Sequence, residues 1–62
     1  MKPGTIVIMT FKGVDSEQMI AMETDKYFFL AIPYSMYPIN KETLEYKNPI
    51  YPELNFKIRE IK

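Results

Sequence analysis

The sequence predicts an all-β fold, an antiparallel barrel or half-barrel of five strands with little or no helix. Three observations predict it. Ile outnumbers Leu eight to three and Ala occurs only twice, while nine of 62 residues are Phe or Tyr, a mixture that suits a pleated, half-buried surface better than a helix. The apolar residues also fall in short runs of alternating or continuous type, and no stretch carries convincing helical amphipathicity. Sixty-two residues allow a single small domain with one core. A core of that size offsets chain entropy only narrowly, so an oligomer or bound partner would steady it.

Each element follows from local chemistry. Met1-Lys2-Pro3-Gly4 is a turn-type opening, and Thr5 to Phe11 then runs seven residues without a charge, as a strand does when both of its faces are covered. Lys12-Gly13-Val14-Asp15-Ser16 reads as a loop, with Gly13 available for positive φ and Asp15 and Ser16 able to bond nearby backbone. Residues 18–24 and 27–32 are strands around an Asp25-Lys26 hairpin turn. Pro33 ends that hairpin because it has no N–H to give a ladder.

From Pro33 to Pro52 the chain holds four Pro and four Tyr in 20 residues, a stretch of stiff connections. Thr43-Leu44-Glu45-Tyr46-Lys47 alternates polar and apolar, which favours a strand over 43–47. The alternative is one short helical turn over Lys41 to Glu45 capped by Asn40. The last strand, 54–61, has the clearest period of two: Leu54, Phe56 and Ile58 on one face, Asn55, Lys57 and Arg59 on the other. Five strands of this length with no helix to cover them fit a small closed or half-closed barrel of the SH3-like or OB-like kind.

The opening Lys2-Pro3-Gly4-Thr5-Ile6-Val7 resembles the first strand of several SH3-like barrels, among them the mRNA-interferase toxins. The resemblance covers these six residues. The Arg-Pro pair that those toxins carry before a later strand is missing, and no functional residue is carried over.

Composition excludes much chemistry. There is no Cys and no His, which removes disulfides, thiolate or imidazole metal ligands, the usual neutral-pH general base, and triads that need either group. Ser16 and Ser35, the only serines, have no base suggested by their neighbours. No catalytic residue, cofactor or metal site is expected, and the chain reads as a non-enzyme. Asp15, Glu17, Glu23 and Asp25 match no cation-binding loop and read as solvated charges that guard a strand. The longest uncharged run, residues 27–40, is too short and too proline-broken to span a bilayer. No membrane partner is expected and a cytoplasmic location is.

Two functional readings remain. In the first, Tyr34, Met36, Tyr37, Ile39, Ile50 and Tyr51 lie on Pro-stiffened connections, where Tyr and Met favour protein contact and stiffness lowers the entropy lost on binding. The partner is another protein or a second copy of the chain, and a homodimer fits the zero net charge, which does nothing to keep copies apart. The composition also resembles that of small phage or bacterial regulators and inhibitors. The opposing reading of the same residues is that they fold back to close the barrel. Asn48-Pro49-Ile50-Tyr51 within this segment reads as a rigid corner. In the second functional reading, Lys47, Lys57, Arg59 and Lys62, with Lys41, line a nucleic-acid surface on which Tyr27, Tyr34 and Tyr37 stack bases. A sequence pI near 6.2 and the interleaved Glu42, Glu45, Glu53 and Glu60 weigh against it.

Overall fold

A computed structural model of the chain describes residues 1–31 and 37–61. Six antiparallel strands, β1 (Ile6–Phe11), β2 (Val14–Glu23), β3 (Tyr27–Leu30), β4 (Ile39–Asn40), β5 (Glu45–Tyr46) and β6 (Phe56–Glu60), form a nearly closed barrel. The spatial order is β4-β3-β2-β1-β6-β5. β4 and β5, at the two ends of this order, approach each other across the seam. A single 3-10 turn, Pro52–Leu54, precedes β6.

The core holds Val7, Met9, Ile20, Phe28, Leu30, Ile39, Tyr46, Phe56 and Ile58. Alternation selects these positions: Val7 and Met9 on β1, Phe28 and Leu30 on β3, and Phe56 and Ile58 on β6 are each two residues apart, so their side chains leave the backbone on one side. Pairing of Met9 with Ile58 and Phe11 with Phe56 brings the inward positions of the first and last strands together. Met1, Phe11 and Leu44 pack around the cluster.

Several sequence expectations change. Lys12 to Ser16 is not a loop. Lys12 and Gly13 have φ of 52° and 79° between the paired residues Phe11 and Val14, the two positive values that a tight two-residue hairpin turn needs. β2 therefore starts at Val14, four residues before the predicted strand. At its far end a register shift between Ile20 and Met22 lets the strand bend from pairing with β1 to pairing with β3, as a bulge does. The Asp25-Lys26 turn is present, with Thr24 N–H donating to the Tyr27 carbonyl at 2.9 Å.

The strand predicted over 43–47 shrinks to Glu45–Tyr46, because Asn40 caps a turn ahead of it. Asn40 Oδ1 accepts from the backbone N–H of Glu42 at 2.7 Å and of Thr43 at 3.1 Å, and Leu44 N–H donates to the Asn40 carbonyl at 2.7 Å. The predicted 54–61 strand narrows to Phe56–Glu60, since Leu54 closes the 3-10 turn. Six strands replace five because Ile39–Asn40 pairs with β3 at Tyr27 and Phe28. The strand predicted to reach residue 32 ends at Leu30, and Pro33 lies outside the described residues.

Candidate functional site

The residues expected at a partner surface separate. Ile39 is completely buried, 0% exposed, in the core, so in the folded chain it is unavailable for contact. Tyr37 is partly exposed, but its ring stacks on Tyr46 at 4.8 Å between centroids and meets Phe56 edge-on at 6.0 Å. It closes the barrel over two core aromatics, which is the fold-back reading for this residue. Tyr34 and Met36 lie outside the described residues. Ile50 and Tyr51 stand 72% and 54% exposed at the connection between β5 and β6.

That connection is built around Asn48. Its Oδ1 accepts from the backbone N–H of Ile50 at 2.9 Å and of Tyr51 at 2.8 Å, an Asx-type bend that uses the amide oxygen in place of a carbonyl. Asn48 Nδ2 donates to Tyr46 Oη at 3.0 Å, and the Asn48 backbone N–H donates to Asn55 Oδ1 at 2.7 Å. Pro49 and Pro52 flank Ile50 and Tyr51, while Leu54 N–H donates to the Tyr51 carbonyl at 2.9 Å. The corner expected at Asn48-Pro49-Ile50-Tyr51 is thus held at both ends, and it turns two large apolar side chains outward. Next to Asn55 a cleft of about 210 Å³ lies over the β1–β6–β5 part of the sheet, lined by Thr10, Glu45, Lys47, Asn55 and Lys57 among others.

The expected cationic surface is interleaved with carboxylates. Lys47 Nζ lies 3.7 Å from Glu45, and Arg59 Nη2 donates to Asp15 Oδ2 at 3.0 Å. Lys57 pairs across the ladder with Glu45, and Lys62 lies outside the described residues. Lys41 is bound to Glu23 at 2.6 Å and sits over the Phe28 ring. Tyr27 is exposed next to Asn40, across the barrel sheet from β6. The Asp15 carboxyl is held below its ordinary range, first by the Thr10 hydroxyl that donates to Oδ1 at 2.7 Å and then by the Arg59 guanidinium, against some desolvation.

Among the described residues, no group of three acidic side chains is placed to hold a metal ion, and no helix is long and apolar enough to cross a membrane. One surface escaped the sequence reading. Ile6 is 44% exposed, Ile8 is half-buried, and Met19 is exposed opposite Ile6 on β2, so the uncharged first strand has only one covered face. No protein-family model, no curated protein and no solved structure matches this chain.

Proposed function

We propose that the chain is a non-enzymatic protein-interaction module that presents the Ile50–Tyr51 corner to a protein partner. The observation that carries this reading is the combination of rigidity and exposure at one place. Four hydrogen bonds to or from Asn48 fix the backbone, and the two side chains it supports make no contribution to the core. A preorganised apolar and aromatic pair loses little conformational freedom on binding, and Tyr is among the residues that dominate binding energy at interfaces.

The lack of imidazole and thiol chemistry supports a binding role over a catalytic one. The nucleic-acid reading draws less support, since Arg59 and Lys47 each lie beside a carboxylate that repels phosphate.

Affinity capture from a native lysate, run in parallel with the unaltered chain and with Ile50→Ala/Tyr51→Ala, tests the reading. A protein retained by the first and bound about tenfold or more weakly by the second, with unchanged circular dichroism, is the expected result. Equal capture by both chains refutes the corner. Binding of a single-stranded oligonucleotide that collapses with rising salt would replace this reading with the second one.

A further inference from the structure

Strand pairing fixes which side chains share the outer face of the sheet around β1. Val7 and Met9 point into the core, so Ile6, Ile8 and Thr10 point out. Opposite them on β2 stand Met19, Glu17 and Asp15, in that order. On the other side, β6 places Arg59 opposite Ile8 and Lys57 opposite Thr10. The face therefore has three central columns, acidic on β2, uncharged on β1 and basic on β6, with Glu45 of β5 beyond Lys57. Its rows read Glu17–Ile8–Arg59 and Asp15–Thr10–Lys57, followed by an apolar row of Ile6 and Met19, with exposed Ile61 just past β6.

We propose that a second copy of this chain covers this face, about a two-fold axis running parallel to β1. A half-turn about that axis exchanges the outer columns and keeps the rows in place. Glu17 of each copy then faces Arg59 of the other, Asp15 faces Lys57, and Ile6 and Ile8 lie along the axis against their own counterparts. The other in-plane axis, perpendicular to the strands, lays acid on acid and base on base, which costs affinity. The charge pattern thus selects both the occupant and the orientation.

Within one copy Arg59 already reaches Asp15, while Glu17 and Lys57 form no ion pair among the described residues, so pairing between copies gives both a partner. An ordinary specific contact takes about 800 Å² from each side, roughly a fifth of the 4494 Å² exposed here, which one face of so small a body can supply. The contact uses none of the Ile50–Tyr51 corner and goes beyond the function proposed for it.

Sedimentation equilibrium of the full chain up to about 1 mM tests for a reversible dimer. Asp15→Lys/Glu17→Lys makes both charged columns basic, and Lys57→Glu/Arg59→Glu makes both acidic. Each variant alone should dimerise about tenfold or more weakly than the unaltered chain, and an equimolar mixture of the two should dimerise again. The native chain has no cysteine, so Ile8→Cys adds a single thiol at the axis in an otherwise unchanged surface. A short bismaleimide should couple two copies of it, and Ile50→Cys should not couple. A chain that stays monomeric throughout, or a dimer indifferent to both charge variants, overturns the proposal. Coupling through Ile50→Cys without coupling through Ile8→Cys also overturns it, and moves self-contact to the corner.

Discussion

Ile39 on β4 and Ile50 on the β5–β6 connection are the same residue type, yet one is buried and the other 72% exposed. Replacing each with Ala measures that difference. Ile39→Ala removes three carbons from a site packed in the core cluster, and such truncations cost about 2–5 kcal/mol through lost transfer energy plus the cavity left behind. The lower part of that range is expected, because β4 is two residues long at the barrel seam and can collapse inward. A loss of about 3 kcal/mol is a large share of the roughly 3–9 kcal/mol that 62 residues ordinarily muster, and it lowers the melting temperature by about 12–24 °C. Ile50→Ala should stay within about 0.5 kcal/mol of the unaltered chain. Urea and thermal unfolding followed by circular dichroism report both, with tyrosine fluorescence as a second probe because the chain has no Trp. If the two variants are equally stable, the assignment of Ile39 to the core and of Ile50 to the surface is wrong, and so is the separation of site from scaffold built on it.

Asn48→Ala strands two backbone donors and frees the Tyr46 hydroxyl, so it should destabilise by about 1–2 kcal/mol, the range for losing a backbone-capping side chain. Asn48→Asp keeps the accepting oxygen and should recover most of that loss in the same urea titration. Asp15 has a folded-state pKa depressed by Thr10 and Arg59, so its stabilising effect is complete above the unfolded carboxylate range and disappears as pH falls through the lower folded value. Following its carboxyl carbon by NMR, Thr10→Ala and Arg59→Gln should each raise the midpoint. A midpoint that neither change moves would show that these contacts do not hold the carboxyl down.

Much of the barrel was legible in the residues themselves. The uncharged run at β1, the Asp25-Lys26 hairpin, the Phe56-Ile58 alternation and the Asn48 corner each rest on chemistry confined to a few neighbours. The misreadings came where tertiary context decides. Val14, Asp15 and Ser16 looked like loop because the first part of β2 is exposed on both faces, which leaves no alternation to detect. Ile39–Asn40 is too short to show any period, and Ile39 sits between proline and polar residues that mark connections. Asn40 showed its capping chemistry, but the alternation through Tyr46 pointed the other way, and only the two residues nearest β6 kept the strand. The acidic and basic columns beside β1 could not be read at all without register, since Glu17 and Arg59 are 42 positions apart and meet only through Ile8.

The pairing of β1 with β6 also shapes how the chain reaches its native state. Every other ladder joins strands adjacent in the chain, so local hairpins can zip independently within microseconds. Joining Phe11 to Phe56 instead closes a segment of some 45 residues, whose entropic cost falls due before any contact rewards it. Docking of the β5–β6 hairpin onto β1 is therefore expected to set the pace of folding, so that truncations at that junction slow folding and truncations at the far edge chiefly speed the opening of the barrel in stopped-flow kinetics.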